Sequence, residues 1–347
     1  MFYRVIGLMS GTSLDGLDLA YCVFSFEKGL WSYQIPFAKT IRYTSQIKEK
    51  LLKAENTTGE QLSKIDKDFG HFLGKQVKFF IEEKKVEVDF ISSHGQTIFH
   101  QPNENFTLQI GDINSIAAEN GLETIGDFRR LDIALGGQGA PLVPIGDRLL
   151  FAQYPYCMNL GGFSNVSFES NGLRKAYDIC PVNMVLNYLA AKEGKEYDFG
   201  GQMAKSGRVD NELLEKLNSL PYYQNQTQAS LGKEWVKENI KPIIESSNLS
   251  TRDLLATYTE HISVLLSKNI GGDCLVTGGG AWNTFLIDKV REKTPFEITL
   301  PDKTTIDYKE ALIFALLGVL RKRGEINVLS SVTGATKDSC SGVIVRG

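Results

Sequence analysis

The stretch Gly7-Leu8-Met9-Ser10-Gly11-Thr12-Ser13-Leu14-Asp15-Gly16-Leu17-Asp18 separates two β-like runs. Tyr3 to Met9 is apolar and β-rich, and Leu17 to Phe26 follows the same pattern, so the residues between them read as a polar, glycine-bounded hairpin tip. The pattern recurs in mid-chain. Tyr156 to Leu160 runs into Gly161-Gly162-Phe163-Ser164-Asn165 and then Val166-Ser167-Phe168. Each hairpin is followed, after a helical region, by an apolar strand ending in glycine: Val88 to Gly95 in the first half, Asp273 to Gly280 in the second. The halves therefore read as weak internal copies. Helical patterns at 45–54, 59–83, 113–120, 184–193, 210–217, 251–268 and 309–323 alternate with these strands, which predicts two α/β domains with mixed sheets. The Gly/Pro-dense stretch from Gly136 to Pro144 is the expected crossover.

Composition agrees. A chain of 347 residues predicts about two domains. Its 42% hydrophobic and 23% charged residues are those of a globular protein. A net charge of −3 provides no general attraction to nucleic acid or an anionic membrane, so recognition must be local. The longest apolar run, Ala311 to Leu320, is too short to span a bilayer and reads as a core helix. The N-terminus lacks the pattern of a signal peptide, which makes a cytoplasmic location the expectation. Five scattered cysteines without a Cys-x-x-Cys pair predict reduced thiols, no disulfides and no structural zinc.

Common nucleotide and catalytic signatures are absent: no P-loop, no Gly-x-Gly-x-x-Gly, no Gly-x-Ser-x-Gly and no His-Glu-x-x-His. What remains is a set of glycine-rich turns after strands, each able to offer backbone N–H groups to phosphate oxygens. In the first turn Asp15 suits a hydrated Mg²⁺, although an Asp-Gly hairpin turn needs no ligand to explain it. Asp178, at the end of a strand before a helix, fits either a general base or a helix cap. His94, beside Gln96, fits a backbone-bonded loop histidine or a neutral partner for a polyhydroxyl ligand. Arg129 and Arg130 could clamp a carboxylate or form ion pairs with Asp127 and Asp132. Glu310 opens the apolar helix, where a carboxylate ordinarily complements the helix dipole.

Taken in order, these blocks go further. The first stretch resembles the N-terminal signature of the anhydro-N-acetylmuramic acid kinases, members of the sugar kinase and actin superfamily. The resemblance continues through Ser93-His94-Gly95-Gln96-Thr97, Gln109 to Asp112, Asp127 to Ala134, Gly136 to Pro144 and Asn159 to Gly162. It resumes at Thr277 to Ala281 with Asn283, at Glu310-Ala311 with Phe314-Ala315, and at Ser331 to Ala335. It implies an α/β fold of two actin-like (ribonuclease H-like) domains, with mixed β-sheets flanked by helices and the active site in the interdomain cleft. Domain I would be 1–135, completed by 325–347, and domain II 136–324. The activity implied is a kinase that uses ATP and Mg²⁺ to open 1,6-anhydro-N-acetylmuramic acid with water and phosphorylate its O6, in recycling of peptidoglycan sugars. A related sugar kinase acting on an ordinary hydroxyl, and a non-catalytic ATP-dependent sugar sensor, are the competing readings.

Carried over by position, the resemblance makes Gly11, Thr12, Ser13, Asp15 and Gly16 the first phosphate turn, with Asp15 on Mg²⁺ through water. Gly161 and Gly162 form the second, and Gly278, Gly279, Gly280 and Asn283 the adenosine side. Asp178 matches the catalytic base and Glu310 a carboxylate that helps hold the water. His94, Gln96 and one of Arg129 or Arg130 face the sugar. The family also implies a homodimer. Two departures stand out. Asp178-Ile179-Cys180-Pro181-Val182-Asn183 replaces the usual Asp-Thr-Gly-Pro-Gly-Asn, and Phe163-Ser164 replaces smaller or aliphatic residues. The first is expected to bring the Cys180 and Val182 side chains toward the ligand; the second is expected to be mild.

Overall fold

The computed structural model describes residues 1–11, 13–224 and 231–347. The strands, in chain order, are β1 (Phe2–Ser10), β2 (Gly16–Glu27), β3 (Leu30–Arg42), β4 (Phe90–Gln101), β5 (Phe106–Ile110), β6 (Thr124–Gly126), β7 (Tyr156–Leu160), β8 (Phe163–Ser170), β9 (Leu173–Pro181), β10 (Cys274–Thr277), β11 (Ile298–Thr299) and β12 (Val343–Val345). The chain folds as two compact units, Met1–Leu150 with Tyr308–Gly347, and Phe151–Asp307.

In the first unit the sheet order is β12-β6-β4-β1-β2-β3, with β5 paired to β4. β1 is antiparallel to β2 and parallel to β4, and β4 is parallel to β6. In the second unit the order is β11-β10-β7-β8-β9, with β7 antiparallel to β8 and parallel to β10. The path β6-β4-β1-β2-β3 thus reappears, strand for strand and sense for sense, as β11-β10-β7-β8-β9. The weak repeat in the sequence is a repeat of topology, and both sheets are mixed.

Strand alternation explains how the first sheet is covered on both faces. Ile6, Leu8, Leu17 and Leu19 join a core with Phe69, Leu73 and Val77 of the helix Gly59–Lys84. Gly7 points the other way, where a side chain would collide with the Ala311 carbonyl of the helix Lys303–Arg323. That helix carries the apolar run expected to form core, and Ala311 to Leu317 are all at most 1% exposed. Its Phe314 carbonyl accepts the Ser92 hydroxyl at 2.5 Å. The second unit builds its core from Met158, Leu160 and Val166 of its sheet, with Leu186, Leu255, Tyr258 and Ile287 from its helices.

The units change at Leu150 and Tyr308, so the expected boundaries at 135/136 and 324/325 fall inside the first unit. Polar bonds account for this. The Gly139 N–H donates to the Asp132 carboxylate at 2.7 Å, and Arg129 Nη1 donates to the Gly139 carbonyl at 2.7 Å. Farther along, Asp147 pairs with Lys309 at 2.7 Å, both side chains 5% exposed. A stretch rich in Gly and Pro is a turn signal, and here it wraps a buried carboxylate instead of linking two bodies. All five cysteines are unpaired, four of them buried. Among the described residues no helix is long and apolar enough to cross a membrane.

Candidate active site

The β1–β2 turn starts where the Ser10 hydroxyl, buried, donates to Gln96 Oε1 at 2.5 Å and lies 2.5 Å from the Tyr43 hydroxyl. Gln96 therefore sits beneath the turn, its amide oxygen already engaged. The Leu14 N–H donates to the Gly11 carbonyl at 3.1 Å, and Leu14 is held at φ 57°. A leucine in left-handed backbone is strained, and such strain concentrates where a ligand must be met. Ser13 and Asp15 are exposed; Gly11 and Gly16 are half-buried. Thr12 lies outside the described residues.

His94 and Arg129 are in direct contact. His94 Nδ1 lies 2.9 Å from the Gly95 carbonyl, so it carries the proton, and Nε2 accepts from Arg129 Nε and Nη2 at 3.1 and 2.9 Å. Burial, reinforced by the Arg129 charge, pushes the His94 pKa down to about 3. Both ring nitrogens are engaged within the protein, one by a backbone carbonyl and the other by the Arg129 guanidinium. Burial also lowers Arg129 to about 10, against the opposing pull of Glu310 and Asp132. With Nε, one N–H of Nη2 and one of Nη1 committed, two of its five N–H donors remain for a ligand. Arg130 is different: it is exposed and pairs with Asp127 at 3.2 Å.

Glu310 lies just beyond Tyr308, where the helix backbone leaves helical geometry (φ −121°, ψ 15°). The helix thus begins seven residues before Glu310, at Lys303, and the break gives Glu310 the position of a first-turn residue in its second segment. The residue as a whole is exposed, yet the protein around its carboxyl desolvates the charge and raises the pKa. Asp18 adds to the rise, while Arg129 and Lys309 oppose it.

In the second unit Asp178 lies within β9, since the strand continues to Pro181. Ser164 is paired with Cys180 but Asn165 with Asp178, which makes Ile179 the extra residue of a β-bulge. The Ser164 hydroxyl repairs the ladder there, accepting from the Cys180 N–H at 3.2 Å and donating to the Cys180 carbonyl at 3.0 Å. Burial raises the Asp178 pKa, and the Leu231 N–H, donating to its carboxylate at 2.8 Å, opposes that rise. The departures after Asp178 are core residues: Ile179 is 4% exposed, Cys180 and Val182 0%. Contrary to expectation, Cys180 and Val182 do not project toward a ligand; they pack inward, with the Cys180 thiol 3.3 Å from Ser164 Oγ.

The Gly161 and Gly162 carbonyls accept from Asn183 at 3.2 Å and from Val182 at 2.8 Å, seating the helix Asn183–Ala191. Gly278 has φ 83°, and a Cβ there would stand 2.6 Å from Asn159 Oδ1 and 2.9 Å from the Leu160 carbonyl, so only glycine fits. Asn183 Nδ2 donates to that same Leu160 carbonyl at 3.3 Å, so the two glycine turns meet around Leu160 and Asn183. Asn283 spends its Oδ1 as the cap of the helix Thr284–Arg291, accepting from the Leu286 N–H at 3.0 Å. The sequence reading quoted Ser164 and Asn183 without giving either a role, and it passed over the segment Asp198 to Gly201, whose Gly200 carbonyl accepts the Thr284 hydroxyl at 3.1 Å. The Gly-Gly pair at 200–201 was the legible signal.

The two buried histidines give a pH prediction. His261, 0% exposed with its Nδ1 2.7 Å from Asn218 Oδ1, is driven like His94 to about 3 by burial. Between pH 6.5 and 3 the unfolded chain takes up protons that these folded sites refuse, so stability falls as pH falls. Each should contribute a loss of about 1.4 kcal/mol by one unit below 6.5. Denaturation midpoints from pH 7 to 5.5 measure this, and His261→Gln should flatten the slope. An unchanged slope in that variant would return His261 to an ordinary titration.

The chain matches the family model of the anhydro-N-acetylmuramic acid kinases over residues 3–347. It is 32% identical to the anhydro-N-acetylmuramic acid kinase of Sulfurimonas denitrificans, 35% to that of Actinobacillus pleuropneumoniae and 34% to that of Coxiella burnetii. These matches cover 98%, 98% and 99% of this chain and 98% of each relative.

Proposed function

Because this chain belongs to the anhydro-N-acetylmuramic acid kinase family, we propose that it phosphorylates O6 of 1,6-anhydro-N-acetylmuramic acid from ATP while water opens the anhydro bridge. The products are N-acetylmuramic acid 6-phosphate and ADP, in recycling of peptidoglycan sugars. The observation that carries this reading is the family match from residue 3 to residue 347. A cytoplasmic homodimer belongs to the same proposal.

Asp178 is the general base. A carboxylate with a raised pKa is a better proton acceptor than an ordinary aspartate, and burial supplies that rise. It takes a proton from water as the oxygen attacks the anomeric carbon. The bond from that carbon to the bridging oxygen breaks, and the freed oxygen, still on C6, receives the γ-phosphoryl group. Glu310 orients the water, and Arg129 offers its two remaining N–H donors to the sugar. His94 acts through Arg129: as a neutral acceptor it fixes the guanidinium without adding a second positive charge. Gln96 acts through Ser10 and the turn above it. Arg130, paired with Asp127, lies outside this set.

The β1–β2 turn, Thr12 included, together with Gly161 and Gly162, would receive the phosphates. Gly278, Gly279 and Gly280 would approach the adenosine side, on a turn whose following helix Asn283 caps. Asp15 fits Mg²⁺: its carboxylate is exposed on the turn and offers the hard oxygen donors that this ion prefers. When bound, Mg²⁺ neutralises phosphate charge.

The test is mass spectrometry of the products from Mg-ATP and 1,6-anhydro-N-acetylmuramic acid in ¹⁸O-labelled water. The expected product is a ring-opened 6-phosphate with the label at the anomeric hydroxyl. Unchanged sugar would refute the proposal, and label elsewhere would refute attack at the anomeric carbon.

A further inference from the structure

Asp178 is paired with Asn165 but stands next to the bulge at Ile179, where the ladder is interrupted, so its direction depends also on groups outside the ladder. Two such groups come from one distant segment. The Tyr222 hydroxyl donates to the Asp178 backbone carbonyl at 2.7 Å, and the Leu231 N–H donates to the Asp178 carboxylate at 2.8 Å. One bond fixes the backbone of the residue and the other its reactive end. Tyr222 is itself braced, its ring 5.6 Å from that of Tyr223 at 89° and 5.4 Å from that of Trp235. Trp235 follows Leu231 by four residues, so this aromatic packing ties the two donors together.

We propose that Tyr222 is a positioning residue for Asp178, holding the bulged backbone so that the carboxylate stays on the Leu231 N–H. The inference rests on the reading of Asp178 as the base. A phenol 44 positions away in sequence reaches a main-chain oxygen beside the bulge, and across the same bulge Ser164 of β8 bonds the N–H and carbonyl of Cys180. Among the described residues, the titratable groups that interact with Asp178 are Tyr222 on the helix Pro221–Gln224 and Cys180 on its own strand. Burial raises the pKa of both, Cys180 to about 12, so neither changes charge where the carboxylate titrates. The Leu231 N–H, which favours the ionised carboxylate, is then the contact whose loss moves the titration.

The experiment is the pH dependence of kcat/KM for the sugar, measured on the full chain with saturating Mg-ATP. Tyr222→Phe should lower kcat and move the acid limb upward by about one pH unit, the size expected for a lost hydrogen bond to a charged group. KM for ATP should hold. Leu231→Pro, which lacks the N–H, should reproduce the shift, and Leu231→Ala, which keeps it, should leave the limb in place. A lowered melting temperature with an unmoved acid limb in both Tyr222→Phe and Leu231→Pro overturns the proposal and leaves these residues structural. Asp178→Asn separates the two levels. If it retains turnover, the base reading itself fails; if it is inactive while the limb in Tyr222→Phe stays put, only the positioning role fails.

Discussion

Asp178→Asn is expected to lower kcat by roughly 10²–10⁴-fold, the usual contribution of a positioned general base. The amide keeps the shape of the side chain and can still accept the Leu231 N–H through its oxygen, so the bulge and the fold should survive. The proton acceptor is gone. Nucleotide affinity, followed by calorimetry, should change little, because the glycine turns proposed for ATP do not include this residue. The acid limb of the pH profile should vanish with the base. Loss of ATP binding in parallel with turnover would mean a damaged fold, and near-normal turnover would remove Asp178 from the mechanism.

The second large effect concerns stability. Lys309 and Asp147 form an ion pair at 2.7 Å with both side chains 5% exposed. Lys309→Met removes one partner of this buried ion pair, and breaking such a pair typically costs about 3–5 kcal/mol. Unfolding in denaturant should show that loss, whereas the double variant Lys309→Met with Asp147→Leu should recover most of it, because both charges of the pair leave together. Activity provides a second readout. Lys309 opposes the rise in the Glu310 pKa, so its removal should push Glu310 further up. A single variant as stable as the parent would show that the pair contributes nothing net.

Periodicity and turn chemistry are local properties, and what depends on them could be read without coordinates. The hairpin around Gly11 to Asp15, its echo at Gly161, the helices read at 59–83 and 251–268 and the core character of Ala311 to Leu320 all follow from residues adjacent in sequence. Ordered motifs along the chain also pointed to the family. What could not be read was which neighbours meet. Gly136 to Pro144 looked like a linker because nothing in its own residues reveals Asp132 waiting to accept the Gly139 N–H. Cys180 and Val182 looked like intrusions into a pocket because a one-residue bulge at Ile179, invisible in composition, turns them into the core.

Arg129 and Arg130 make the same point at a single step of sequence. As types they are identical, and their spacing from Asp127 and Asp132 favours neither. Burial against His94, 35 positions away, sets one apart, while the other faces solvent beside Asp127. His94 illustrates the converse. Its identity marked a site, but a neutral ring with both nitrogens satisfied is a property of the folded arrangement, created by desolvation and by a guanidinium that sequence distance conceals. The order and chemistry of the elements are written in local sequence. Directions of side chains, their protonation and the partners that hold them arise only when segments far apart in the chain exclude water from one another.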